Sequence, residues 1–215
     1  IHVYGNPHLF TDPLNMIQVA RNIATGLKRA APEHSATFDA NVARFAAQVH
    51  ERLYGARLVE ILDGETLSLL DRQGRLMPFL AATDFEGRKL VDLLGGWHAA
   101  AAPFRGQSII CYHKNWAYFE ARFGVSCIEY VEAKPGIPPT PGHVGNLIDL
   151  MRNRGIDVLL AANYFDDAKV RAVARRAGAT AVIVPLQPGG APGVETYFDV
   201  VDAWVTGLAG AFQGR

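Results

Sequence analysis

From Gly106 to the end of the chain, short β-rich apolar runs alternate with helical patterns, and this alternation limits the possible folds more than any other feature. The pattern predicts strands over residues 108–112, 127–131, 158–162 and 181–186, and helices over residues 116–123, 141–154, 168–177 and 195–212. Strand–helix units in series predict an α/β fold with a parallel sheet covered on both faces. Ligands of such sheets bind outside the carboxyl ends of the strands, so the candidate functional residues are those that follow each strand.

The residues before Gly106 predict helices rather than a sheet. Asp12 is a favoured N-cap and Pro13 a favoured first helical residue, so we expect a helix that begins there and ends before Pro32. Apolar side chains at helical spacing predict a second, long helix that runs to about Tyr54. Residues 55–96 form short apolar pieces separated by glycines, which favours short helices joined by turns. The apolar side chains expected to pack together in that section are Leu67, Leu70, Leu76, Phe79, Leu80 and Leu93.

Composition and charge disfavour several classes of protein. Lys plus Arg and Asp plus Glu both number 21, which gives a formal net charge of zero, and no basic run suggests binding to nucleic acid or to an anionic membrane. No apolar stretch approaches the roughly 20 residues that cross a bilayer. The glycine-rich segment "PGGAPG" lacks the spacing of a phosphate-binding loop.

The two cysteines, Cys111 and Cys127, lie in strands that we predict to be neighbours and buried. Free buried cysteines behave as small hydrophobic residues. We therefore expect two free thiols rather than a disulfide, and cysteine usage does not decide the compartment.

Two histidines occupy positions that favour a role in metal binding. His8 follows the turn sequence Gly-Asn-Pro on a short loop before a helix, and His113 directly follows the first predicted strand. Neutral imidazole is the commonest transition-metal ligand, and the aromatic residues Phe10, Tyr112 and Trp116 would provide dry surroundings. A zinc site takes four ligands, or three and a water molecule, so at least one more is needed. The alternative is that each histidine only packs or forms hydrogen bonds.

The remaining candidate ligands are weaker. His34, His50 and His98 fall within or beside helical segments and are predicted to be solvated, and His143 is predicted to lie at the surface in the first turn of a helix. His2 could reach the region of His8, but frayed terminal residues are common. The carboxylates Glu132 and Asp166 follow predicted strands. Each could bind a metal or cap the following turn, and capping is favoured for Asp166 because Asp166-Asp167 opens a helix.

Three segments carry a resemblance to a known family: "GNPHLFTDPLN", "YHKNWAYFEARFGV" and "PGIPPTPGHVGNLIDLMRNRGIDVLLAANYF". With them the chain resembles the zinc and manganese solute-binding proteins of bacterial ABC importers, except over residues 55–96. The resemblance implies two α/β lobes bridged by a long helix, with the metal held between the lobes. It implies that His8 and His113 are metal ligands.

The resemblance also implies a domain organisation. Residues 1–37 would be a remnant of the N-terminal lobe, residues 38–105 the bridging helix with an inserted helical section at 55–96, and residues 106–215 the C-terminal α/β lobe. The family has about a hundred further residues before this point, with another histidine ligand, and we expect the natural protein to extend upstream accordingly. A family glutamate position falls on Ala162, and a family carboxylate position falls near Val184 and Pro185, so the fourth ligand is not identified.

The resulting expectation is a solute-binding protein, not an enzyme, that captures zinc in the periplasm or outside the cell and delivers it to an ABC permease. A monomer is expected. Imidazole suits zinc, whereas manganese favours more oxygen ligands, so manganese is the less favoured metal. Two alternatives stay open: a metal-dependent hydrolase that uses Glu132 or Asp166 as general base, and an α/β interaction module in which the histidines are incidental.

Overall fold

The computed structural model describes residues 5–132, 134 and 136–213, so His2 lies outside the described residues. The chain divides into two compact units, Ile1–Ala100 and Ala101–Arg215. None of the helices in the described part of the chain is long and apolar enough to span a bilayer.

The first unit is almost entirely helical, and its first two helices confirm the prediction from the sequence. Single 3-10 turns at Leu9–Thr11, Pro32–His34 and Leu90–Leu93 connect the longer elements. Those elements are α1 (Pro13–Ala30), α2 (Ser35–Tyr54), α3 (Ala56–Leu62), α4 (Gly64–Arg72), α5 (Leu76–Ala82), β1 (Asp84–Phe85), β2 (Arg88–Lys89) and α6 (Gly96–Ala100).

The section between α2 and α6 contains short helices, as predicted, but also a small hairpin that the sequence did not predict. Strands β1 and β2 pair antiparallel. Glu86 and Gly87 join them with φ values of 49° and 79°, the backbone that two-residue hairpin turns require. The helical prediction here was wrong because one residue other than glycine adopts a positive φ. Of the apolar residues expected to pack together, Leu67, Leu76 and Leu80 are buried, and Leu70, Phe79 and Leu93 are half-buried.

Glycines bring the two ends of this section together. The amide of Gly95 donates to the carbonyl of Tyr54 over 2.9 Å. A Cβ on Gly55 would lie 2.7 Å from Gly95 Cα, and one on Gly96 would lie 2.2 Å from the carbonyl oxygen of Arg52. The chain thus leaves the end of α2 and returns to it through backbone contacts that only glycine permits.

Two histidines predicted to be solvated are buried in this unit. His98 is 1% exposed; its Nε2 lies 2.8 Å from Asp71 Oδ2, and its ring stacks on Tyr54 at 5.6 Å. Asp71 also accepts a 3.0 Å hydrogen bond from the Tyr54 hydroxyl. The prediction that His98 is solvated was wrong, because its position in a helix does not reveal that the Asp71 carboxylate contacts its ring. His98 is therefore not a neutral position for substitution.

His50, the other misassigned histidine, lies at the contact between α2 and α4. It is 5% exposed, and a Cβ on Gly64 would lie 2.0 Å from its Nδ1, so the imidazole packs directly on that glycine. Among the described residues its Nε2 has no hydrogen-bond partner. Burial lowers the pKa of His50, and the nearby Glu65 carboxylate offsets part of that effect.

Replacing Gly96 by alanine is expected to destabilise the first unit. The new methyl group would meet the Arg52 carbonyl, and the φ of 58° is strained for alanine, so we expect a loss of about 1–3 kcal/mol in the free energy of unfolding. Gly26→Ala is the matched control, since its Cβ would meet open space within α1 and should stabilise by about 0.5–1 kcal/mol. Urea unfolding measures both. Equal effects of the two substitutions would contradict the proposed backbone contact.

The stability of the first unit should depend on the protonation of His50. Because burial lowers the pKa of His50 in the folded state, the unfolded chain takes up the proton first as the pH falls. The stabilisation is complete above about pH 6.5, the pKa in the unfolded chain, and is lost as the pH decreases toward the lower folded value. His50→Gln should therefore lose less stability than the wild type between pH 8 and pH 5.5 in urea unfolding. The exposed His34→Gln is the control, and a wild-type pH dependence in His50→Gln would disprove the assignment.

The second unit is the parallel α/β unit that the sequence predicts, and its strands and helices begin and end within two residues of the predicted bounds. After a 3-10 turn at Ala102–Phe104, the elements are β3 (Ser108–Cys111), α7 (Ala117–Phe123), β4 (Ser126–Tyr130), α8 (Pro141–Arg154), β5 (Val158–Ala162), α9 (Asp167–Ala177), β6 (Thr180–Val184) and α10 (Tyr197–Gln213).

The four strands form one parallel sheet in the order β4-β3-β5-β6. The chain moves from β3 to β4 on one side and then crosses to β5 on the other, so the order reverses between β3 and β5. Every residue of β5 is buried, as expected for a strand covered on both faces. One core cluster joins Leu159 and Ala161 to α8 and α9, and aromatic contacts such as Trp116–Trp204, at 5.5 Å, join α10 to the loop after β3.

Cys111 and Cys127 form a disulfide, so the prediction of free thiols was wrong. They lie on the neighbouring strands β3 and β4, where a register shift after Ile109 leaves their Cα atoms 5.5 Å apart. That separation suits a disulfide. The sequence predicted the neighbouring strands but not the register, which decides whether the two sulfurs can meet. A bridge across 16 residues stabilises a fold by about 3 kcal/mol in the chain-entropy model.

Candidate metal centre

His8 lies on a turn with a fixed backbone in the first unit. Its carbonyl accepts hydrogen bonds from the amide and the hydroxyl of Thr11, at 3.0 and 2.9 Å. Thr11 is fully buried, and the next residue, Asp12, caps α1 by accepting from the amide of Leu14 at 3.0 Å. The N-terminus of α1 therefore determines where the half-buried His8 lies.

Asn6 determines the tautomer of the neutral His8 ring. Its Oδ1 accepts from the backbone amide of His8 at 3.0 Å and lies 2.7 Å from His8 Nδ1. The backbone donor identifies this side-chain atom as the amide oxygen, so Nδ1 must carry the ring hydrogen that points at it. In this tautomer the ring lone pair is on Nε2. The Phe10 ring approaches edge-on at 6.1 Å.

His113 lies where the strand order reverses in the second unit. It follows Tyr112, whose amide donates to the carbonyl of Leu160 in β5 at 2.7 Å. Ligands of open parallel sheets bind at this kind of position, outside the carboxyl ends of the strands. The loop after β5 contacts the loop of His113, because Asn115 Nδ2 donates to the Tyr164 hydroxyl at 2.9 Å and the Phe165 ring lies 6.1 Å from the His113 ring.

Glu132 lies beside His113 at the same sheet edge. Its Oε2 is 2.7 Å from His113 Nδ1, and both side chains are largely buried, at 11% and 12% exposure. Its Oε1 accepts from the amide of Gly136 at 2.7 Å. Both rings therefore have Nδ1 close to a side-chain oxygen, a neutral amide oxygen of Asn6 at His8 and a carboxylate oxygen of Glu132 at His113. A cavity of about 550 Å³ in this unit includes Glu132, Tyr112 and Tyr164 in its walls.

The other candidate ligands from the sequence have structural roles. Asp166 accepts from the amide of Lys169 at 3.1 Å and caps α9, as favoured from the sequence. His143 is half-buried rather than at the surface, with Nε2 2.8 Å from the carbonyl oxygen of Tyr130. Ala162 and Val184 end their strands as buried apolar residues. Within the described ranges, no three His, Cys, Asp or Glu residues are grouped so that they could hold a metal ion.

The sequence predicts His8 and His113 as ligands but does not identify the residues that contact their rings. Asn6 was treated only as part of a turn, although a short polar side chain two residues before a histidine can reach its ring. For Glu132 the sequence leaves a ligand, a cap and a general base open, because it predicts that β3 and β4 are neighbours but does not give the register that brings this side chain to His113.

Comparison with known proteins places the chain among the metal solute-binding proteins of ABC importers. The family described as "ZnuA: Zinc-uptake complex component A periplasmic" matches residues 2–53 and 88–211, and the chain belongs to this family. The family is one of uptake components rather than enzymes. The unmatched residues include the whole of α3, α4 and α5. No curated protein sequence matches the chain significantly.

Solved structures share this fold at low sequence identity. A zinc-bound ZnuA deletion mutant has 17% identity and a TM-score of 0.63, and the match covers 97% of this chain and 61% of that one. The SBP FpvC of Pseudomonas aeruginosa, in complex with Mn2+, has 18% identity and a TM-score of 0.62, with 97% and 62% covered. The laminin-binding protein Lbp of Streptococcus pyogenes has 18% identity and a TM-score of 0.61, with 96% and 64% covered. The chain therefore spans less than two thirds of each of these structures.

Proposed function

We propose that this chain captures zinc for an ABC importer and that His8 and His113 both bind the ion through Nε2. The supporting observation is that each ring has Nδ1 within 2.7 Å of a protein oxygen. Metal-binding histidines typically donate their other ring N–H in this way, which fixes the tautomer and the orientation of the ring. Membership of the zinc-uptake family is independent support.

Zinc is the metal that these ligands favour. Both proposed ligands are imidazoles, which suit zinc, whereas manganese prefers oxygen. The side chains at the ends of β5 and β6, Ala162 and Val184, supply no carboxylate that would shift this preference. One related structure holds zinc and another holds Mn2+, so relatives with this fold bind either metal. We expect zinc to bind this chain more tightly than manganese.

The chain is proposed to work outside the cytoplasm, where it delivers the ion to a membrane permease. The family description names a periplasmic component of an uptake complex. The Cys111–Cys127 disulfide fits such a location, because disulfides persist in oxidising compartments and are rare in reducing ones. Proteins of this type carry an ion and catalyse no reaction, so turnover of ester or phosphate substrates is not expected.

Isothermal titration with zinc tests the two ligands. His8→Ala and His113→Ala each remove one nitrogen from the ion, so the affinity should fall by more than the roughly 10 to 100-fold that substitution of a ligand's hydrogen-bond partner costs. His34→Ala is the control, because that side chain is 64% exposed in its own turn. A parallel titration with Mn2+ tests the metal preference.

His98→Ala cannot serve as a second control, since it empties a buried position and removes one partner of the half-buried Asp71 carboxylate, which should reduce stability by about 1–3 kcal/mol. Zinc affinity that stays at the wild-type level in both His8→Ala and His113→Ala would refute the proposed site. It would then favour an interaction module with incidental histidines.

A further inference from the structure

Glu132 is a buried carboxylate whose two oxygens are both occupied. It is 9% exposed overall, and it connects the His113 ring, at 2.7 Å from Oε2, to the amide of Gly136, at 2.7 Å from Oε1. Burying a carboxylate is costly unless hydrogen bonds compensate. A role in folding alone would not explain why one of its oxygens meets an imidazole at the carboxyl edge of the sheet.

The backbone holds Glu132 and His113 side by side. The amide of Glu132 donates to the carbonyl of Tyr112 at 2.8 Å, and the amide of Val131 donates to the carbonyl of Cys111 at 3.1 Å. These bonds continue the pairing of β3 with β4 beyond the last strand residues. The carboxylate therefore reaches the ring from a fixed position, before any ion is present.

An ionised carboxylate can only accept hydrogen bonds, and this property determines the state of the ring. With Nδ1 protonated, the positive end of the N–H dipole lies next to the carboxylate, whose Oε2 is 2.7 Å from that nitrogen. With the proton on Nε2 instead, the Nδ1 lone pair would face a carboxylate oxygen at 2.7 Å, which is repulsive. The first tautomer is strongly favoured and places the lone pair on Nε2.

We propose that Glu132 is a positioning residue for zinc binding, which holds His113 in the Nδ1–H tautomer so that Nε2 is ready to accept the ion. The inference rests on the proposed role of His113 as a ligand. It assigns Glu132 neither direct contact with the ion nor the role of a general base.

The contacts that orient the two proposed ligands differ in strength. Asn6 offers His8 a neutral amide oxygen, whereas Glu132 offers His113 a carboxylate. A charged oxygen attracts an N–H group more strongly than a neutral one. His113 is therefore the more firmly oriented ligand of the pair.

Long-range 1H–15N correlation spectra of the histidine-labelled chain test the tautomer directly, because protonated and unprotonated ring nitrogens resonate far apart. At about pH 8, where free imidazole is neutral, wild-type His113 should carry its hydrogen on Nδ1. Glu132→Ala should shift His113 toward the Nε2–H form or a mixture. Glu132→Gln should restore the Nδ1–H form, because its amide oxygen can still accept from the ring.

Zinc titration of the same variants gives the second measurement. Glu132→Ala should weaken zinc binding about 10 to 100-fold, and Glu132→Gln should weaken it less. Glu129→Ala is the matched control, since this half-buried carboxylate in β4 accepts from its neighbour's amide at 3.0 Å and is three residues away in the same strand segment. It should leave both the His113 tautomer and the zinc affinity unchanged.

The outcomes separate this inference from the function on which it rests. A wild-type His113 protonated on Nε2, or a Glu132→Ala variant that keeps the wild-type tautomer, would overturn the role of Glu132. If the tautomers behave as expected but wild-type protein binds no zinc, Glu132 still orients the ring and the proposed function fails.

Discussion

The parallel pairing of β3 with β4 on one side and β5 on the other is the constraint on which the second unit depends. It forces the chain to reverse its strand order at β3, and the three strand ends then share one edge. His113 follows β3, Glu132 follows β4 and Phe165 follows β5, so an imidazole, a carboxylate and an aromatic ring meet without any long loop. The same pairing brings Cys111 to Cys127. Site and disulfide are two consequences of one sheet topology.

The first unit holds His8 by different means. Its turn is closed by hydrogen bonds from Thr11 and ends at the Asp12 cap of α1. Beyond α2, close contacts between Gly55 and Gly95 return the chain to the end of that helix. The family match omits residues 54–87, a range that includes the three short helices between these glycines.

The sequence predicted the parts of this structure that depend on local patterns. Alternating apolar runs predicted all four strands of the parallel sheet, and Asp12-Pro13 predicted the start of α1. Features that depend on register or on distant partners were missed: the Cys111–Cys127 bridge and the burial of His98 against Asp71. The candidate site shows the same contrast between local patterns and distant partners. The positions of His8 and His113 in the sequence predict them as ligands, whereas the contact between Glu132 and the His113 ring is visible only in the structure.

The central claim is that His8 and His113 bind zinc through imidazole nitrogen. X-ray absorption at the zinc edge, on protein loaded at millimolar concentration, tests it most directly because it reports the atoms around the ion. We expect nitrogen ligands at about 2.0–2.1 Å, with outer-shell scattering from imidazole rings that diminishes in His8→Ala and in His113→Ala. A zinc spectrum of oxygen ligands without imidazole scattering, unchanged by either substitution, would contradict the claim.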